Sequence, residues 1–198
     1  MTTQRPTPSV SRRTTLAAIA GGGLGMALFT GSQAAPVELV DYSDHPLCGV
    51  WLAMANPPLP ESPQIPVPSI FAADGTVVLS FPLIQLGPTG VQFNSAHVGV
   101  WEPYDDQIGH FTATQSITDI EGTLLSTVTV DGHPHVNPDG QSFIDDGSLV
   151  TVTIRDATGA EIAVVPPGTP GRPVTAVRMS PGVSGFPGNA PGEGTPIG

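Results

Sequence analysis

Apolar and polar side chains alternate through much of this chain with a period of two, the signature of β-strands with one covered and one wet face. In residues 149–155, Val150, Val152 and Ile154 take one side while Thr151, Thr153 and Arg155 take the other. In residues 127–136, Val128, Val130 and Val136 oppose Thr127, Thr129, Asp131, His133 and His135. Runs at 98–101, 108–117 and 160–165 complete a meander of consecutive antiparallel strands. Between the runs stand Tyr104-Asp-Asp-Gln107, Asp119-Ile-Glu-Gly122, Asn137-Pro-Asp-Gly140 and Asp156-Ala-Thr-Gly159. These are turns, because Asn, Asp and Gly tolerate positive φ and Pro presets the turn dihedral.

Upstream, residues 47–55 are apolar on both faces and predict a well-covered strand. Residues 69–81 predict a hairpin, with two apolar runs around Asp74-Gly75, the dipeptide of a tight type I′ turn. Residues 56–69 hold six prolines (57, 58, 60, 63, 66 and 68), which predicts an extended outer loop and excludes a central strand. Residues 82–96 predict a connection broken by Gly87-Pro88 and Thr89-Gly90, and residues 173–179 a closing strand. From 181 to 198 proline and glycine dominate without apolar periodicity, which predicts a disordered tail. The whole reads as an all-β domain over residues 45–180, with about eight antiparallel strands, or about nine if 141–145 pairs. Short turns between sequential strands favour an up-and-down β-barrel over a two-sheet sandwich, and such a barrel can enclose one small ligand.

Composition agrees. Of 198 residues, 24 are glycine and 23 proline, which suits many turns and argues against long helices. The formal net charge is -11, and all six basic residues are arginines. Three of them (Arg5, Arg12 and Arg13) precede residue 14, so the rest of the chain sets 17 acids against 3 arginines, a balance of -14. Such a surface serves solubility and repels nucleic acid and anionic lipid, whose binding needs dense basic patches. The single cysteine, Cys48, excludes an intramolecular disulfide and reads as a buried, inert thiol in an apolar run. His45, three residues away, is the base a nucleophilic role would require.

Ser11-Arg-Arg-Thr-Thr-Leu16 resembles the twin-arginine export motif, with Thr15 where that motif usually has Phe. Residues 16–30 are mildly apolar, glycine-rich and too short for a stable span. Ser32-Gln-Ala34 offers the small residues a signal peptidase reads, with cleavage after Ala34. The expectation is a signal peptide over 1–34 and a protein exported to the periplasm or beyond the cell. Its partners in transit are the twin-arginine machinery and signal peptidase, and no membrane span remains after cleavage. The resemblance implies that the protein travels already folded, so packing alone must hold it.

Four stretches carry a wider resemblance: His45-Pro-Leu-Cys-Gly-Val-Trp51, Phe71-Ala-Ala-Asp-Gly-Thr76, Gly99-Val-Trp-Glu-Pro103, and the strand-turn-strand around Asp139-Gly140. Together they resemble small exported bacterial proteins with a calycin-like barrel, related in shape to the lipocalins and the allene oxide cyclase group. The likeness covers about residues 45 to 180. Gly49-Val-Trp51 is similar to the Gly-x-Trp that opens many lipocalin barrels, which implies a structural role for Gly49 and Trp51 at the barrel's closed end. The cysteine pairs of secreted lipocalins are absent. A shared fold of this kind says little about function.

Candidate chemistry is sparse. Trp51, Phe81, Trp101 and Phe111 are placed to line a barrel interior, where they either bind a flat, greasy molecule or fill the core themselves. His133-Pro-His135 sets two imidazoles on one strand face about 7 Å apart by strand rise. His110 or Asp131 would be the third ligand of a metal site there. That face is the polar one, so exposed histidines near a turn are the plainer reading. The paired acids Asp105-Asp106 and Asp145-Asp146 adjoin turns. There is no Gly-x-Ser-x-Gly elbow, phosphate loop or dinucleotide fingerprint, and nothing implies a cofactor. Three functions stand. The first is an exported barrel binding a small hydrophobic ligand without catalysis. The second is a barrel cyclase or isomerase with His97, His110 or Glu102 turned inward for proton transfer. The third is a metal-dependent enzyme using His133 and His135.

Overall fold

One five-residue turn, used three times, sets much of the strand spacing. At 72–76, 119–123 and 156–160 the fourth residue's N–H donates to the first residue's carbonyl at 3.0–3.1 Å. The first residue's N–H donates in turn to the fifth residue's carbonyl at 2.8–3.0 Å. Glycine fills the fourth position each time, with φ between 82° and 86°, so each is a type I turn closed by a glycine bulge. At Asp74-Gly75 this replaces the expected type I′ turn. Gly75 supplies the left-handed residue, and the Asp74 carboxylate caps the Thr76 N–H at 2.9 Å.

The structure is a computed structural model that describes residues 40–56, 63–88, 90–183 and 185–186. All of them fall in one compact unit, Glu38–Gly198. The expected signal peptide over 1–34 lies outside the described residues. Strands β1 (Gly49–Ala55), β2 (Ile65–Phe71) and β3 (Thr76–Leu79) pair in order, and β4 (Ile84–Gly87) with β5 (Gly90–Asn94) forms a side hairpin. Then come β6 (His97–Pro103), β7 (Gly109–Thr118), β8 (Leu124–Gly132), β9 (His135–Val136) and β10 (Ser142–Asp145). The last are β11 (Thr151–Asp156), β12 (Glu161–Val165) and β13 (Val174–Arg178). They make one curled antiparallel sheet in the order β12-β11-β8-β7-β6-β3-β2-β1-β13-β10-β9, with β5 attached to β7 and β4 to β5. Among the described residues there is no helix.

Several sequence expectations change at this level. Prolines 66 and 68 sit inside β2, which lies between β1 and β3. The sheet tolerates them because both face outward and both direct their missing N–H toward β3, which pairs only with residues 69–71. Ser80 N–H still finds the Pro68 carbonyl at 2.9 Å. Residues 82–96 are not a plain connection: Gly87-Pro88 and Gly90 turn the β4–β5 hairpin. The meander also departs from sequence order. After β8 the chain leaves at Gly132, crosses to form β9 and β10 beside β13, and returns to pair β11 with β8. The β11–β12 hairpin, expected to bury Val150, Val152 and Ile154, is half-exposed on β11 and exposed along all of β12. It forms the outer edge of the sheet, beyond β8. Of the tail expected to be disordered from 181, residues 181–183 form a turn bridged from Ser180 to Val183, and Gly185 packs against Leu52 and Met179. The rest of it lies outside the described residues.

The core gathers on the concave side. Trp51, Phe71, Leu47, Val67, Val77 and Val136 are buried there with Trp101, Phe111 and Phe143. Phe71 meets Trp101, Phe111 and Phe143 edge-on at ring separations of 5.9, 5.8 and 6.4 Å. Trp51 meets Phe143 at 5.1 Å, donates its indole N–H to the Leu47 carbonyl at 2.8 Å, and carries the Arg178 guanidinium 4.2 Å above its ring. Arg178 also donates to the carbonyls of Gly140, Cys48 and Pro46, so it ties the lead-in segment to β13. Edge-to-face pairs of this kind add stability beyond the area they bury.

Candidate functional site

Strand alternation decides which candidates look inward. On β6, His97 and Trp101 face the core while Val98, Val100 and Glu102 face out. On β7, Phe111, Ala113, Gln115 and Ile117 face in, and His110 and Thr112 lie on the opposite face. On β5, Gln92 and Asn94 face in. The interior therefore changes character along its length. One end holds the packed aromatics; the other holds His97, Asn94, Gln92 and Gln115, all buried.

His97 is the unusual member. It is 3% exposed, and neither ring nitrogen has a hydrogen-bond partner among the described residues. Its ring lies 4.9 Å from Phe81, and its backbone pairs with Leu79. Burial pulls its pKa from 6.5 down to about 4, so the ring is neutral at ordinary pH. A neutral imidazole presents one donor and one acceptor, and both are unused here. The Asn94 side-chain carbonyl is likewise buried without a partner, although its amide N–H₂ donates to the Pro82 carbonyl at 3.0 Å. Gln115 donates to the Ser95 carbonyl at 2.9 Å. Leaving buried polar groups unpaired costs about 1–3 kcal/mol each.

A second concentration lies on the outer face. His110 on β7 and Asp131 on β8 approach to 3.0 Å, and Thr112 donates its hydroxyl to the same Asp131 oxygen at 2.8 Å. The His133 ring stacks on His110 at 4.4 Å with 8° between planes. Glu102 lies 4.0 Å from the other His110 nitrogen. Nearby runs a groove of about 410 Å³, bordered by Tyr42, Asp74, Val100, Trp101, Glu102 and His110.

The remaining candidates separate. His135 does not share a face with His133: the chain leaves the β8 ladder after Gly132, and Pro134 is buried in the crossing. His135 then sits exposed on β9 with its ring 3.3 Å from Gln107. Trp51, Trp101 and Phe111 pack within the aromatic cluster, and Phe81 alone of the four adjoins the polar end. Cys48 is half-buried, and burial pushes its thiol pKa up, away from the reactive thiolate. His45 is not its base, because its Nδ1 accepts from Leu47 N–H and its Nε2 meets the Asp105 carbonyl at 3.0 Å. Asp105 and Asp146 cap turns: the Gln107 and Ile108 N–H groups hold the Asp105 carboxyl low, and the Ser148 hydroxyl and N–H hold that of Asp146 low. Asp145 is buried, which pushes its carboxyl up even as it accepts from His133 N–H and Gly147 N–H. Asp131, left beside His110 as an alternative ligand by the sequence, belongs to the outer cluster. Gln115 carried no sequence signal beyond its place in an alternating run, and Asn94 fell in the stretch expected to be a connection.

Comparison with protein-family models, with curated proteins and with solved structures finds no match for this chain.

Proposed function

We propose that this is an exported β-barrel protein that holds a small, largely apolar guest in its interior through a hydrogen bond to His97. The observation that carries the reading is His97 itself, 97% buried by its 3% exposure, with both nitrogens unpartnered. Leu79 and Phe81 supply apolar surroundings, and the Asn94 carbonyl supplies a second acceptor. That combination suits a hydroxyl on an apolar body, since a hydroxyl both donates and accepts. Closure of the curled sheet into a barrel of about eight strands, from β7 round through β1 and β13 to β9, is part of the proposal. It is supported by the bridge from Ile108 to His135, which links β9 to the entry of β7. Bonds from Gly109 N–H to the Pro134 carbonyl and from Val136 N–H to the Gln107 carbonyl flank that bridge at 3.1 and 2.9 Å. Export through the twin-arginine route, followed by cleavage after Ala34, rests on Arg12-Arg13 and Ser32-Gln-Ala34.

Binding is favoured over the cyclase or isomerase reading. A general base works best with a pKa near the operating pH, and His97 at about 4 is far below it. Glu102 and His110, the other groups considered for proton transfer, lie on the outer face. The test is native mass spectrometry of the protein exported by its own host, before and after denaturation. A small organic molecule lost on unfolding, and absent from His97→Leu, is the expected result. Bare protein from the host, with no uptake from a panel of apolar alcohols, overturns the reading.

A further inference from the structure

We propose that His110, Asp131 and His133 form a binding site for a divalent transition-metal ion of the zinc or copper class on the outer face of the sheet. The proposal is independent of the interior guest. It starts from register. Thr112 pairs with Asp131 and Phe111 with Gly132, and just beyond the end of this ladder the His133 ring stacks on His110 at 4.4 Å. Alternation turns His110 and Asp131 to one side, away from Phe111 and Gly132, and the His133 ring joins them there. One ligand atom from each of the three lies within 4.8 Å of the other two. Metal–nitrogen bonds of about 2.0–2.1 Å at a tetrahedral angle need donor atoms about 3.4 Å apart, which small side-chain rotations supply.

The donor set selects the ion. Two imidazoles and one carboxylate suit zinc or copper, whereas calcium and magnesium prefer all-oxygen shells. The surroundings also hold the donors in place. Thr112 fixes the Asp131 carboxylate, the buried Asp145 carboxylate anchors the His133 backbone N–H at 2.8 Å, and Tyr104 stands edge-on to the His133 ring at 5.4 Å. His133 Nδ1 is shut away from solvent with no hydrogen-bond partner among the described residues, a buried donor position left open there. Three protein ligands leave a fourth position free, as open zinc sites do. Glu102 lies at the other nitrogen of His110, at 4.0 Å, and the groove of about 410 Å³ borders Glu102, His110 and Thr112.

The experiment is calorimetric titration of the full chain, stripped with chelator, with zinc and separately with copper(II). The expected result is one equivalent bound, with affinity falling at least tenfold in His110→Ala, Asp131→Asn and His133→Ala, and unchanged in His135→Ala. In parallel, histidine ring ¹H–¹⁵N spectra of the wild-type protein should shift at His110 and His133 on adding zinc, a readout that needs no variant to fold. Absence of binding overturns the proposal. So does binding that His135→Ala abolishes, or zinc-induced shifts at His45 or His135 instead of the stacked pair.

Discussion

Replacing His97 by leucine is the sharpest test of the interior reading. In the folded protein the imidazole takes up a proton only near pH 4, because burial penalises its charged form. In the unfolded chain it does so near 6.5. Between these values the unfolded state binds more protons, so folding stability is complete above 6.5 and falls as the pH drops toward 4. The gap, at about 1.4 kcal/mol for each pH unit, amounts to about 3 kcal/mol once the pH lies below both values. Most of it, about 2–3 kcal/mol, has already gone between pH 7.5 and 4.5. Leucine has no proton to take and no nitrogen to leave unpaired, so His97→Leu should remove this slope. It should also stabilise guest-free protein at pH 7.5 by about 1–3 kcal/mol. Urea denaturation of both proteins at the two pH values measures this directly. Asp145, whose carboxyl is raised by burial, contributes in the opposite sense, since its cost is relieved as the pH falls. It is present in both proteins and cancels from the difference. Parallel pH profiles for wild type and variant would refute a buried, neutral, unpartnered His97.

Three further outcomes follow from the packing. A Cβ at Gly99 would lie 1.9 Å from the Thr112 carbonyl oxygen and 2.6 Å from Ala113 Cα, so Gly99→Ala must force β6 from β7. A loss of about 2–3 kcal/mol in urea denaturation is expected, and a loss below about 0.5 kcal/mol would show that the strands are not so close. Arg178→Ala removes the partner of three backbone carbonyls and the cation over Trp51, so it should cost about 3 kcal/mol or more. Thermal unfolding followed by tryptophan fluorescence reads the change, and an unshifted midpoint would leave Arg178 as a surface residue. Cys48, with its thiol pKa raised by burial, should alkylate with iodoacetamide at least tenfold more slowly in the folded protein than in urea at pH 7.5. Equal rates would mean the thiol is open to solvent.

The positions of most strands and turns could be read directly from residue order. The three-residue spacing of Asp119 and Gly122, or of Asp156 and Gly159, marks a turn because a side-chain carboxylate caps nearby N–H groups and only glycine sits easily at positive φ. The inward faces of β6 and β7 follow from simple alternation. These are local effects, set within a few residues. The prolines of β2 misled because their harm depends on whether a neighbour needs the missing N–H, and β3 ends before it does. The sites were less legible still. His133 and His135, two apart in sequence, parted because the chain changes partners at Gly132, while His110 and Asp131, twenty-one apart, met through the register of β7 and β8. His97 opened an ordinary strand, and nothing in its neighbours revealed that both its nitrogens would be buried without partners. Sequence alone thus determined an all-β chain, its turns and the two faces of its strands, since backbone preference and alternation act over short range. Which strands pair, and so which side chains share a site, was decided only by the tertiary structure, because pairing joins residues that chain order leaves far apart.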